Sequence, residues 1–484
     1  MDRREGKVLF CHIFRKRLQF PASNAILKSE FSKKVHLVQE RLFSNKSLVK
    51  LIIPLIIEQG LTILVGMADS VMVSAVGEAA ISGVSLVDMI AAVILVLFSA
   101  LATGGAVITS QLLGAKNMEK ARRSAGQLIL MAAALGILIM IPCLIFSEEL
   151  LMLCFGAIEA DVKEAGLVYL RITALSFPFL ALYNAGAAIF RSVGNSKVSM
   201  QVSMVMNVIN VVGNAFCIFA LHWGVEGVAV PTLVSRMVAG VYMMVKVAKP
   251  DVALRPTRQG LTSIDHKMMG SILRIGVPSA CENCFFSLGR LIVASMITLF
   301  GTTQVSANAV AGNIDRLGII IGQAMGLAMV TVVGQCVGAR DEKQVTYYTK
   351  KMLRWSYLMQ GASNVLILIF MGQLVGFYGA LSGETRELAM RLSTIHSGLA
   401  IIFWPASFVL PNALRAANDV KYTMWVGIGS MLVCRIFGSW LLCVHFGWGA
   451  TGVWIAMVAD WVCRTAFFVP RMVGGKWKTK YRPE

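Results

Sequence analysis

Charge is scarce in this chain: Asp, Glu, Lys and Arg make up only 15% of its 484 residues, where an ordinary soluble domain carries roughly 25%. With 56% hydrophobic residues and a mean hydropathy of +0.69, too little polar material remains to coat several soluble domains. Intrinsic disorder, which needs high charge and few apolar residues, is excluded as well. Chemical signatures are missing too. There is no GK[ST] phosphate loop, no HExxH and no GxSxG, so an enzyme is not expected, and work must draw on an ion gradient instead of ATP held by this chain. A disulfide framework is also lacking. The ten cysteines are scattered, with Cys143, Cys217, Cys434 and Cys443 inside apolar runs, as suits buried free thiols. Cys281 and Cys284 have the spacing of a metal or redox motif but no second pair nearby, so no metal site is expected.

Apolar runs are what the chain has in excess. They lie near residues 51–76, 85–114, 122–146, 163–190, 196–221 and 226–248, then near 270–300, 306–337, 350–375, 387–413, 420–444 and 451–472. Each is long enough to cross a bilayer. Without water in the hydrocarbon core every backbone amide must be paired within its own segment, which makes these runs helices. The expected fold class is all-α, a polytopic membrane protein with twelve transmembrane helices.

The net charge of +19 is spread in small clusters between these runs and forms no basic face for nucleic acid. Lys116, Lys120, Arg122 and Arg123, then Arg191 and Lys197, then Lys246, Lys249, Arg255, Arg258 and Lys267 fall in alternate connections. Arg340, Lys343, Lys350 and Lys351, then Arg415 and Lys421, then Arg471, Lys476, Lys478 and Lys480 continue the alternation. The intervening connections are acidic or uncharged, as with Glu148, Glu149, Glu159 and Asp161, except for the mixed Glu384, Arg386 and Glu387. The positive-inside rule then puts the basic loops and both termini in the cytoplasm. Residues 1–46, rich in Lys and Arg, read as a basic cytoplasmic extension without the apolar core of a signal peptide.

The membrane region is duplicated. IPLIIEQG and VMVSAVG pair with VPSACENC and SMITLFG, so that Pro54, Glu58 and Gly77 match Pro278, Glu282 and Gly301, each at an offset of 224. Gln111 and Gly114 match Gln335 and Gly338, and Arg191 and Lys197 match Arg415 and Lys421, at the same offset. Two six-helix lobes, 47–248 and 270–472, are therefore expected, joined by a linker over 249–269 and followed by a cytoplasmic tail over 473–484. Six is even, so the repeats are parallel, with a central cavity between lobes as in transporters.

These halves, with Pro54 and Asp69 in the first span, the QLLGAKN loop and the RSVGNSK loop, resemble the multidrug and toxic compound extrusion (MATE) family over about residues 47–475. The resemblance implies a V-shaped, two-lobe exporter of the cell membrane, with a bacterial inner membrane as the expected location, working as a monomer. It implies small organic, often cationic or amphipathic substrates expelled in exchange for H⁺ or Na⁺, with lipid around the chain and no cofactor beyond the coupling ion. A lipid-linked oligosaccharide flippase of the same superfamily is the alternative; its cavity would need several basic residues for a pyrophosphate.

Asp69 is the sharpest candidate, because a carboxylate within a span costs about 2.5–3.5 kcal/mol on insertion scales and usually faces a cavity or an ion path. A structural acceptor near a helix end is the other reading. Asn210 and Asn214 share one helix face, and either bridge helices or line a cavity. The resemblance implies that they join Asp69 and Thr232 in a cation-coupling site. It also implies substrate roles for Glu282 and Phe286, while Asn184 divides evenly between cavity wall and helix packing. Asn214 stands where some relatives carry an acid, Phe286 where some carry glutamate, and Trp404 near their tenth-helix aspartate. This favours H⁺ over Na⁺. Arg290, Asp315, Arg316, Arg435, Asp460 and Arg464 are further charges within spans, which pair helices or meet substrate.

Single cysteines placed at 155 and 382 are expected to react with an impermeant thiol reagent applied outside intact cells, whereas those at 30, 120, 195, 255, 345, 420 and 480 are not. Strong labelling at 195 or 420 would overturn the helix count.

Overall fold

The computed structural model describes residues 41–156, 158–379 and 381–480. The chain divides into two compact units, Met1–Ser44 and Asn45–Glu484. Most of the expected N-terminal extension, residue 30 included, and the last four residues of the tail lie outside the described residues.

Among the described residues there is no strand, and the second unit is a bundle of long helices. They are α1 (Asn45–Ser74), α2 (Glu78–Gly114), α3 (Met118–Ile145), α4 (Ala160–Ala174 with Phe177–Ser192), α5 (Ser196–Ala220) and α6 (Glu226–Ala248). Then follow α7 (His266–Thr298), α8 (Thr302–Gly338), α9 (Glu342–Ile369), α10 (Gly383–Ala416), α11 (Val420–His445) and α12 (Gly449–Val473). Ten of them are single helices long and apolar enough to span a membrane. α4 becomes the eleventh only as a pair bent by 49°. The bend falls at Ser176 and Pro178; proline withholds an N–H there, and the Ser176 hydroxyl donates to the Thr173 carbonyl at 2.6 Å. α9, with 28 residues, opens on charged turns containing Lys343, Lys350, Lys351 and Arg354. Its early residues therefore belong to the basic end of the bundle, not to an apolar run starting at 350.

The duplication is visible in backbone detail. Lys116 and Arg340, 224 apart, both take positive φ, 58° and 57°, and the next residues cap the following helices. Asn117 accepts from the Lys120 N–H, and Asp341 accepts from the Gln344 N–H. In α1, Pro54 cannot donate to the carbonyl of residue 50; Ser196 covers this gap, its hydroxyl reaching the Leu51 carbonyl at 2.5 Å and the Lys50 carbonyl at 3.5 Å.

The offset changes once. α11 winds into wide π turns at Met431–Phe437 and Trp440–His445, whereas α5 does so only at Phe216–Ala220. Beyond the first of these, Gly438 faces Ala456 as Gly213 faces Pro231. Gly452 faces Leu442 and Cys443 as Gly227 faces Cys217. The spacing there is 225, as expected when a π turn takes up one inserted residue.

The lobes are joined at the basic end, where α2 and α8 cross. A Cβ on Gly114 would stand 1.9 Å from the Gln335 carbonyl oxygen, and one on Gly338 would stand 1.8 Å from that of Gln111. The crossing is bonded reciprocally. The Gln111 amide donates to the Ala416 carbonyl at 2.8 Å, and the Gln335 amide donates to the Ser192 carbonyl at 2.6 Å; 416 and 192 again differ by 224. Higher up, α2 and α7 meet through Gly104 against the Ile272 carbonyl. The linker is strapped to α3, with Gln127 donating to the carbonyls of Gly260 and Ser263 and Arg123 paired to Asp265 at 2.8 Å.

Gly114→Leu or Gly338→Leu must therefore push the lobes apart. Either change is expected to cost the joined arrangement about 1–3 kcal/mol, the usual cost of overpacking. A cysteine at Gln59, inside the central cavity, should then become accessible from the basic end; unchanged accessibility would contradict this account of the crossing.

Candidate functional site

Two cavities open within the second unit. The first, of about 510 Å³, lies inside the N-terminal lobe among α1, α2, α4, α5 and α6 and contains Asp69, Asn207, Asn210 and Thr232. The Asn214 amide donates to Asp69 Oδ1 at 2.9 Å. Asn210, with its amide nitrogen toward the carboxylate, reaches both Asp69 oxygens at 2.9 and 3.1 Å and accepts from the Thr232 hydroxyl at 3.0 Å. Four residues picked from sequence thus form one hydrogen-bonded cluster. Asp69 is not at the middle of its span: it stands five residues before Ser74, the end of α1, and the walls of the other helices enclose it.

A second carboxylate belongs to this cavity. Asp88 of α2 and Arg236 of α6 both line it; Asp88 accepts from the Tyr169 hydroxyl at 3.4 Å, and Arg236 donates to the Ser176 hydroxyl at 3.1 Å. Neither was selected from sequence, although a lone acid in SLVDMIAAV and a lone arginine in LVSRMV carry the same signal that selected Asp69.

The second cavity, of about 610 Å³, lies between the lobes, and Thr62, Leu95 and Met206 line both cavities. On the N-terminal side Glu58 is buried and accepts from Tyr183 at 3.1 Å and Ser199 at 2.8 Å, with Arg191 at 3.6 Å. On the C-terminal side the repeat-related Glu282 is held by Arg415 at 2.7 Å and approached by Arg464 at 3.6 Å. Its charge is therefore already neutralised, so the substrate role implied for Glu282 does not rest on a free carboxylate. Asn184 lines this cavity while donating to the Leu180 carbonyl of its own helix at 2.9 Å.

Phe286 is the centre of an arginine and aromatic group. Arg435 and Arg464 lie over its ring at 5.4 and 5.6 Å, and Phe408 meets it edge-on at 5.9 Å. Arg464 also lies over Phe408 at 5.2 Å, and Trp404 packs on Phe408 at 5.0 Å. Beneath them the fully buried Asp460 binds Arg464 at 3.0 Å and faces Arg435 at 3.8 Å. Asp315 turns to the buried His396, while Arg316 is exposed and does not line the cavity. Phe408 and Arg435 both lie in π turns, Pro405–Val409 and Met431–Phe437, so a regular helical projection does not bring them together.

This two-lobed architecture has counterparts. A family model described as MatE matches residues 54–216 and 278–441, well over half of the chain. The chain belongs to the MATE family. It is similar to the uncharacterized transporter YisQ of Bacillus subtilis (28% identity over 424 residues, 86% of this chain and 91% of that one). It is also similar to the probable multidrug resistance protein NorM of Thermotoga maritima (26% over 444 residues, 90% and 94%). The fold is shared with a MATE family transporter of the MOP superfamily in an outward-facing conformation (TM-score 0.83, 23% identity, 90% of this chain and 96% of that one). Both matched segments begin at the repeated prolines, Pro54 and Pro278.

In this MATE chain Asp460 holds two buried arginines. Removing one partner of a buried ionic group typically costs about 3–5 kcal/mol, because the other charge stays unpaired. Asp460→Asn should therefore lower the melting temperature of the purified protein clearly, and Arg435→Met in the same molecule should recover part of the loss. A double variant no more stable than Asp460→Asn would contradict the pairing.

Proposed function

We propose that this MATE chain is a secondary antiporter that exports small organic, amphipathic compounds in exchange for H⁺, with Asp69 as the coupling residue. The observation that carries this reading is the adjacency of two cavities with different chemistry. One holds Asp69 and Asp88 beside amides, a hydroxyl and Arg236; the other is lined by aromatic rings and by arginines and carboxylates, and has the size that suits a small molecule. α1 contributes Asp69 to one and Glu58, Gln59 and Thr62 to the other, so a change at the carboxylate can act along a single helix.

Proton coupling is favoured over Na⁺ by the shortage of acids: Asn214, Phe286 and Trp404 stand where the resemblance sets carboxylates in some relatives, and a bound cation needs several oxygen ligands. The Asn214 amide answers the charge of Asp69 at 2.9 Å. Protonation removes the charge that the amides answer, and the arrangement of α1, α5 and α6 preferred by the protonated form then differs from that of the charged form. Without such differential affinity an ion cannot shift a conformational equilibrium. The relatives, a probable multidrug resistance protein among them, support export of organic compounds. A monomer in the cell membrane, with the basic loops and both termini in the cytoplasm, completes the proposal.

The flippase alternative gains from the arginines of the central cavity. Its substrate would be a large headgroup, however, and about 610 Å³ suits a molecule of drug size better.

Proteoliposomes with an imposed pH gradient test the reading. Wild-type protein should move an organic substrate against its gradient without Na⁺. Asp69→Asn keeps the volume and hydrogen-bonding capacity and should still bind substrate, but export should fall to the rate of empty vesicles. Export by Asp69→Asn at the wild-type rate, or wild-type transport that survives a collapsed pH gradient and stops without Na⁺, would sink the assignment.

A further inference from the structure

We infer that the C-terminal half of the central cavity is a site for organic anions, and that the substrate class of this transporter is an aromatic or amphipathic compound bearing a carboxylate, sulfonate or phosphate; the inference rests on the transport reading above and specifies its substrate.

The charge balance comes first. The cavity is lined by five arginines, Arg191, Arg290, Arg415, Arg435 and Arg464, against three carboxylates, Glu58, Glu282 and Asp315. Counting Asp460, buried beneath them, the balance still leaves one positive charge over.

The pairing says where that charge resides. Arg191 faces Glu58, and Arg415 holds Glu282. Arg435 and Arg464 divide Asp460 between them, and Asp315 is turned to His396. No ion pair to Arg290 occurs among the described residues within 4 Å, and its side chain is exposed to the cavity. Arg435 is 91% buried, yet its Nε–H has no hydrogen-bond partner. An unmet donor on a buried guanidinium is costly, and an oxyanion entering beside Phe286 offers an acceptor as well as the missing charge.

The surrounding walls fit the rest of such a molecule. Phe286, Phe408 and Trp404 supply ring faces beside the guanidinium groups, and an aromatic body can stack on rings and on guanidinium planes alike. An organic cation would meet the same rings, but the nearest carboxylates are already engaged and Arg290 repels it. Specificity is a difference of affinities, and an unpaired like charge in the wall acts against the cation as strongly as it acts for the anion.

The test is equilibrium binding, without any gradient, so its failure is separate from a failure of antiport. Purified full-length protein in phosphatidylcholine nanodiscs is titrated against two xanthene dyes of similar size, anionic fluorescein and the cationic methyl ester of rhodamine, and anisotropy is read at neutral pH. Fluorescein should bind more tightly than the rhodamine by about tenfold or more. Arg290→Gln, at an exposed position that folding does not depend on, should weaken fluorescein by about tenfold and leave the rhodamine unchanged or tighter. Arg290→Lys should retain most of the preference. Competition with short-chain phosphatidylglycerol separates the two sources of such an anion: displacement of fluorescein assigns the site to a lipid headgroup, and its absence assigns it to a free organic anion. Preference for the rhodamine, or fluorescein affinity indifferent to Arg290→Gln, would overturn the inference.

Discussion

The crossing of α2 and α8 is the contact on which the rest of the molecule depends. Two helix ends can approach until a glycine lies against a carbonyl only where neither carries a side chain, and Gly114 and Gly338 provide this on both sides of the repeat axis. Because Gln111 and Gln335 each reach across to the opposite lobe, the junction holds the lobes by paired bonds at one end. Between lobes so joined a shared space can remain without unsatisfied backbone, since every helix pairs its own amides. The central cavity is thus a consequence of where the lobes touch.

Within that frame the two lobes treat charge differently. The N-terminal lobe keeps Asp69 beside the Asn214 amide, with Asp88 and Arg236 lining the same cavity. The C-terminal lobe locks Glu282 and Asp460 into arginine pairs and turns Asp315 to His396, and a buried ion pair is costly to open from one side. Thr62, Leu95 and Met206, common to both spaces, set these two charge environments side by side.

Much of this was legible in the sequence. Apolar runs led to the all-α bundle, the 224-residue offset to the repeat, and the four-residue spacing of Asn210 and Asn214 to one shared helix face; that this face meets Asp69 was implied by the family resemblance alone. What escaped has physical causes. The polar turns that begin α9 hide its start at Glu342 from hydropathy, and the bend at Pro178 hides the true course of α4. The pairing of Glu282 escapes because its partners, Arg415 and Arg464, are 133 and 182 residues away and nothing local announces them. Asp88 differs: its apolar surroundings carried the same message as those of Asp69.

The π turn at Met431–Phe437 has a consequence for how the two halves came to differ. An extra residue in a regular helix turns everything after it by about 100°, which would have carried the packing face of α11 away from α12. Wound into a wide turn it costs only local geometry, so Gly438 still meets α12 as Gly213 meets α6. Past the turn, Asp460 stands 225 residues after Ser235 and Arg464 the same distance after Ala239, so buried ions occupy positions that in the first half are small and neutral. The insertion acts as a splice in the helix that spares the scaffold, leaving one copy of a duplicated framework free to acquire a charge pattern that its twin does not share.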